Sequence, residues 1–292
     1  MEQLICKNQV IVEMSANKKS FGELKALVQT CNENDKTDLK FHLDREDDDI
    51  IKFLFYNEQK LIGYFRMDPI KNIVGEAMLW GTIHPKYRTK DIFTQFFQCV
   101  KEKCKDININ KLKVINESAA TSFSEFVTSV GGQVKYSTYE MNFNKEYYKE
   151  ELEEYTDFVL NIASMEDLED MIPIGMEAFG TTEEDEREYN ESNLKDPKNN
   201  NFIGKINNIP MGLISARIQE GEGTIFDLAV LKSYRRRGIG RLILSKTINY
   251  LINQGIEKFS LCVETENKNA LSLYENSGFR IVKAYDCYEL NV

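Results

Sequence analysis

The residues best placed to do chemistry lie in one stretch, Phe226 to Leu244. An apolar run carrying Phe226, Leu228 and Val230 leads through Tyr234 into Arg235, Arg236, Arg237, Gly238, Ile239, Gly240 and Arg241, and an amphipathic helical pattern follows at once. A strand, a basic glycine-bearing turn and a helix start converge backbone N–H groups and the positive end of a helix dipole on one point, which suits a phosphate. Missing Cβ atoms at Gly238 and Gly240 permit unusual backbone angles and let an anion approach the main chain closely. The dinucleotide fingerprint G-x-G-x-x-G does not fit, because Ile243 stands three positions after Gly240, and no G-x-x-x-x-G-K-[ST] string occurs. What remains is R-x-x-G-x-G, Arg235 to Gly240.

A second motif follows downstream. Asn267, Ala270, Leu273, Tyr274, Gly278 and Phe279 form N-x-x-A-x-x-L-Y-x-x-x-G-F. Together the two motifs resemble the coenzyme A loop and the following helix of the GNAT acetyltransferase superfamily. The resemblance implies acetyl-CoA as co-substrate and direct attack by an amine, with no covalent enzyme intermediate. On that basis the amides from Arg237 through Gly238, Ile239 and Gly240 to Arg241 hold the pyrophosphate, with Arg235, Arg236 and Arg241 as charged donors. Backbone groups of Leu228 and Val230 pair with the pantetheine arm, and a bulge there turns an N–H toward the thioester oxygen.

Tyr274 is the candidate general acid for the departing thiolate. Asn267 either bonds the pantetheine amide or caps its helix. Asp227, Glu264 and Glu266 are candidates for the base that takes the amine proton. The acceptor side of this fold is expected in the first helices of the domain, here Glu177 to Ser192, whose carboxylates either attract a cationic amine or coat a solvated helix. The leading expectation is a small-molecule amine as acceptor. The alternatives are a protein N-terminus or lysine, and a non-catalytic acyl-CoA-binding sensor.

These residues need elements to hold them, and the sequence supplies them twice. Aligning HPKYRTKDIFTQFF with LKSYRRRGIGRLIL sets Tyr87 against Tyr234 and Arg88 against Arg235, 147 residues apart. The same offset pairs Gly131 with Gly278 and Lys113–Asn116 with Ser260–Val263, while Gly63 pairs with Gly212 at 149. An internal repeat follows. The expected architecture is α/β (α+β), with two tandem GNAT-like domains over residues 1–146 and 147–292, each a mixed central sheet flanked by helices.

In the second copy we expect strands over Asp157–Ile162, Phe202–Lys205, Met211–Arg217, Thr224–Leu231, Lys258–Glu264 and Arg280–Leu290, with helices over Met165–Phe179, Arg237–Asn253 and Asn267–Asn276. In the first, Val10–Val12 is a short strand, and Phe21–Cys31 a helix with Ser20 as N-cap. Ile51–Tyr56 and Leu61–Met67 form a hairpin, Glu76–Ile83 a strand, and Asp44–Asp49 a solvated loop. Asn144–Tyr155 reads as an ordered connector.

The first copy departs from the motif at its loop. Gly238 becomes Asp91 and Gly240 becomes Phe93; Asn267 and Tyr274 become Ala120 and Val127. An aspartate facing a phosphate repels it, and Phe93 puts a side chain where the anion would approach the backbone. No coenzyme A chemistry is expected there.

Composition bounds the rest. A chain of 292 residues exceeds one ordinary domain, and its 42% hydrophobic content supports real cores. A net charge of −10 argues against a nucleic-acid or anionic-membrane partner, so the basic loop is a local exception. The N-terminal residues lack a secretory pattern and no apolar run approaches a membrane span, so a soluble cytoplasmic protein is expected. The six cysteines form no C-x-x-C pair and only His42 and His84 accompany them, so no metal site is expected.

Overall fold

The structure, a computed structural model, describes residues 10–13, 18–39, 50–70, 74–149 and 157–292. In chain order the elements are β1 (Val10–Glu13), α1 (Lys18–Asp35), β2 (Ile51–Asn57), β3 (Lys60–Pro69), β4 (Glu76–Ile83), α2 (Lys90–Asp106), β5 (Lys111–Glu117), α3 (Thr121–Ser129) and β6 (Gln133–Phe143). Then come β7 (Phe158–Ile162), α4 (Leu168–Phe179), α5 (Glu183–Lys195), β8 (Asn199–Ile206), β9 (Ile209–Gln219), β10 (Glu222–Val230), α6 (Ile239–Asn253), β11 (Lys258–Glu264), α7 (Lys268–Asn276) and β12 (Phe279–Asn291). Two compact units result: Met1–Thr138 with Lys283–Val292, and Tyr139–Val282.

In the first unit β1, β2, β3 and β4 pair antiparallel in sequence, β4 runs parallel to β5, and β5 pairs antiparallel with the end of β12. Alternate strand residues face two layers, as the period-2 geometry of a strand requires. On one face Phe65 and Phe55 stack on Phe96 of α2, with ring centroids 4.2 and 5.0 Å apart. On the other, Leu24, Leu27 and Cys31 of α1 bury against Leu54, Leu61 and Tyr64.

The second unit repeats the plan. β7, β8, β9 and β10 pair antiparallel and β10 runs parallel to β11. Ile243, Leu244, Ile248 and Leu251 of α6 fill one face, and Met171 and Ile174 of α4 pack on Ile203, Leu213 and Ala229 on the other.

The duplication is visible in registers as well as in motifs. β5 and β11, and α3 and α7, are offset by 147 residues at both ends. Gly63 lies opposite Ile83 as Gly212 lies opposite Val230. Each glycine clears the path of a helix side chain: a Cβ would stand 2.9 Å from Phe96 at Gly63 and 2.7 Å from Ile243 at Gly212.

The partition differs from two contiguous halves, 1–146 and 147–292. Tyr285–Asn291 of β12 pairs residue by residue with Glu117–Lys111 of β5, so the last ten residues count with the first unit. The far end of β6 belongs to the second unit, where Phe143 stacks on Phe259 at 4.3 Å. Among the other expectations, α1 begins at Lys18, so Ser20 lies inside the helix rather than at the position before it. The acidic loop Asp44–Asp49 and the connector beyond Lys149 up to Thr156 lie outside the described residues. No helix among the described residues is long and apolar enough to cross a membrane.

Candidate functional site

The site begins in β10. Its pairing with β9 runs regularly to Phe226 opposite Ser215, then resumes at Ala229 opposite Leu213, so one extra residue is accommodated as a bulge. Asp227 takes the strain, with φ of 55°. The corresponding strand β4 pairs with β3 without any register shift, so the bulge belongs to the second unit alone.

After Val230 a single 3-10 turn, Lys232–Tyr234, carries the chain into the loop, and the Lys232 N–H donates to the Glu177 carboxylate at the end of α4. Arg236 and Gly238 are both left-handed, at φ 62° and 80°. Gly238 is the N-cap of α6 and supplies no capping side chain, so the helix ladder opens with Leu242 N–H to Gly238 O at 3.0 Å. The first-turn N–H groups therefore project from the helix end toward the loop. Ile239 is buried and anchors that end in the core.

Gly240 has no steric need to be glycine within the protein. A Cβ there would make ordinary contacts, 3.6 Å to Val230 and 3.7 Å to Leu273. The space that a Cβ would fill lies beside the first turn of α6, so the residues present fit a phosphate approaching the backbone.

The arginines are held differently. Arg235 Nε donates to Val230 O at 2.7 Å, and its counterpart Arg88 Nε donates to Ile83 O at 2.7 Å, so this arginine closes the end of the strand in both copies. In the first copy both terminal nitrogens of Arg88 are taken by Asp35 at 2.6 Å. Arg236 Nη1 donates to Asn269 Oδ1 of α7 at 3.0 Å, Arg237 lies 5.8 Å from the Tyr234 ring centroid, and Arg241 is exposed in the first turn of α6.

α7 borders the loop. Asn267 Oδ1 accepts from Ala270 N–H at 3.1 Å, so this side chain is occupied as a helix cap. Tyr274 is 9% exposed, with its ring 6.1 Å from that of Phe279. Burial pushes its phenol up to about 12. Glu264 and Glu266 are exposed at and just beyond the end of β11.

Asp227 is half-buried and differently engaged. Tyr189 of α5 donates to its Oδ2 at 2.6 Å. Burial raises the Asp227 carboxyl above its usual range, the Tyr189 hydrogen bond opposes that, and the charge of Glu186 adds to it. Burial, then the neighbouring Asp227 charge, raises the Tyr189 phenol.

Sequence reasoning missed Tyr189 and Glu186. Glu186 is 5% exposed, its carboxylate accepting from Thr181 Oγ1 at 2.6 Å and Asn190 Nδ2 at 2.9 Å. Its seat depends on Gly175 of α4, where a Cβ would fall 2.0 Å from Glu186 Oε2. Gly175→Ala is expected to lower stability by about 1–3 kcal/mol, read as a fall in melting temperature, because the carboxylate must leave its partners.

The first copy's loop is closed in another way than expected. The Phe93 ring, assigned to the position of anion approach, turns into the core and stacks on Phe126 at 4.7 Å. The end of α2 is instead capped by Thr89, whose hydroxyl accepts from Ile92 N–H at 3.4 Å, with Asp91 exposed in the first turn. Among the described residues, no group of three or more His, Cys, Asp or Glu is placed to hold a metal ion.

Residues 162–279 match the Acetyltransferase (GNAT) family model. The [ribosomal protein bS18]-alanine N-acetyltransferase of Salmonella typhimurium is 40% identical over 58 residues, which cover 20% of this chain and 39% of that protein. The chain thus spans about two fifths of that curated relative. Among solved structures, a GCN5-related N-acetyltransferase from Sphaerobacter thermophilus superposes with TM-score 0.79 at 16% identity, over 97% of this chain and 95% of that one. A tandem GNAT protein from the clavulanic acid biosynthesis pathway gives 0.74 at 10% identity, over 97% and 98%. Both full-length likenesses show the fold of a tandem GNAT protein, and the part of the chain that matches the GNAT acetyltransferase family model, residues 162–279, is the part that holds the bulge, the loop and Tyr274.

Proposed function

We propose that the second unit transfers an acetyl group from acetyl-CoA to a primary amine, with the first unit binding no coenzyme A. The observation that carries this is the bulge at Asp227 leading into an uncapped helix end whose Gly240 leaves room for a phosphate. The N–H groups at the start of α6 hold the pyrophosphate, supported by Arg236, Arg237 and Arg241, while Arg235 secures the strand end. Leu228 and Val230 pair with the pantetheine arm, and the bulged backbone donates to the thioester oxygen as negative charge develops on it.

The amine nitrogen attacks the carbonyl carbon. As the C–N bond forms the amine gives up a proton, and as the C–S bond breaks its electron pair goes to sulfur, which takes the phenolic proton of Tyr274. Asp227 is the base better supported, being half-buried beside the bulge, whereas Glu264 stands exposed at the end of its strand. Asn267 serves as the cap of α7. The chain's net charge of −10 and its acetyl-CoA donor fit a cytoplasmic reaction without nucleic-acid or membrane partners.

A small-molecule amine is the first reading for the acceptor, the buried Glu186 and half-buried Asp227 favouring a cation. The name of the Salmonella relative favours a second, the α-amine of a protein N-terminus. Incubation with acetyl-CoA and a panel of spermidine, tyramine, lysine amide and a short peptide with a free N-terminus tests both. Chromatographic detection of free coenzyme A together with the acetylated amine is expected for at least one acceptor. Acetyl-CoA binding without turnover on any of them would make this a sensor module.

A further inference from the structure

One contact in the second unit joins the bulged strand to the acidic helix beside it, and neither motif predicts it. Tyr189 of α5 donates to Asp227 Oδ2 at 2.6 Å. Asp227 is held left-handed, a conformation that is unfavourable for an L-residue and persists where its surroundings fix it. One turn earlier on α5, buried Glu186 is fastened by Thr181 and Asn190 in the hollow left by Gly175. The Glu183–Lys195 helix therefore presents to the bulge a phenol backed by a fixed carboxylate.

Resting on the acetyl-transfer reading, we infer that Tyr189 is a positioning residue for the reaction: it occupies one oxygen of Asp227 and leaves the other to take the proton of the attacking amine. As the C–N bond forms, the N–H electron pair stays on nitrogen and the proton passes to Asp227 Oδ1. The titratable groups that face Asp227 are the neutral Tyr189 phenol and the Glu186 carboxylate, both from α5; on α4, Glu177 is turned to the Lys232 amide. Burial and the Glu186 charge disfavour the Asp227 carboxylate, and the Tyr189 hydrogen bond favours it. Removing the phenolic hydroxyl raises the proton affinity of Asp227, so the acid limb of the rate profile moves to higher pH.

The test uses the full chain, native, Tyr189→Phe and Asp227→Asn, with the best amine from the panel above. The readouts are kcat/KM from about pH 5 to 9, acetyl-CoA affinity by calorimetry, and melting temperature. Because the amine is common to all three proteins, its own ionisation cancels in the differences between profiles. For Tyr189→Phe the expected result is an acid limb raised by roughly one pH unit, with acetyl-CoA affinity unchanged. For Asp227→Asn the limb attributed to this carboxylate disappears. Superimposable native and Tyr189→Phe profiles overturn the inference. So does a uniform loss at every pH with reduced melting temperature, which makes the tyrosine merely structural, and so does a limb that survives Asp227→Asn. Absence of turnover by the native chain on every amine overturns the acetyl-transfer reading and this inference with it.

Discussion

Gly240→Asp abolishes acetyl-CoA binding and leaves the fold intact. A Cβ at this position meets only Val230 and Leu273 at ordinary contact distance, so the substitution does not strain the core. An aspartate in the first turn of α6 also interacts favourably with the helix dipole, by about 0.3–1 kcal/mol. Its effect on a bound pyrophosphate is the reverse. Two unit charges 4 Å apart at an effective dielectric near 20 repel by about 4 kcal/mol, roughly a thousandfold in affinity.

Gly238 is the poorer position to test. Its φ of 80° would strain any replacement and confound charge with folding. Calorimetric titration of the native chain is expected to give one site per chain, and the variant none at an unchanged melting temperature. Binding that survives would show that the phosphate does not sit on this helix end. Two sites in the native chain would show that the Thr89-capped loop of the first unit binds as well.

That test rests on a part of the molecule the sequence exposes well, since glycine spacing and the helix pattern after it are local signals. The repeat is legible for a related reason: Gly63 and Gly212 answer to the same packing demand, the passage of Phe96 and Ile243. The Arg88 and Arg235 pair shows where such alignment stops. Of the two, the resemblance implied a phosphate donor at Arg235 alone, whereas the Nε of Arg235 and of Arg88 each reaches back to the strand-end carbonyl, a bond fixed by turn geometry. Phe93 was legible as a departure from glycine, yet its direction depended on Phe126, 33 positions further along the chain.

Tyr189 and Glu186 were hidden among the carboxylates of α5. Nothing in the local pattern separates a glutamate in a glycine-lined hollow from its solvated neighbours; only the contact with Gly175 of α4 does so. The pairing of β12 with β5 was equally out of reach, because a long strand can close either of two similar sheets and its sequence periodicity is the same in both.

Tyr274→Phe lowers kcat by about 10²–10⁴ with little change in acetyl-CoA affinity. The ring keeps its packing against Phe279, and no hydrogen bond of the hydroxyl to a described residue is lost, so stability changes by no more than about 0.5 kcal/mol. Burial pushes the phenol up to about 12, which keeps it protonated, and so competent as a donor, throughout the neutral range and well above it. The same shift makes complete transfer to a thiolate of ordinary basicity, near 8.5, uphill by roughly 4–5 kcal/mol. The proton must therefore move as the C–S bond breaks rather than after it. An alkaline limb in the native profile below about pH 11 would have to come from another group. Steady-state kinetics with calorimetry on the same preparation separates the outcomes: a fall in kcat at constant affinity identifies the donor, unchanged kcat moves that role to another group or to water, and a parallel loss of affinity reduces Tyr274 to a wall of the binding site.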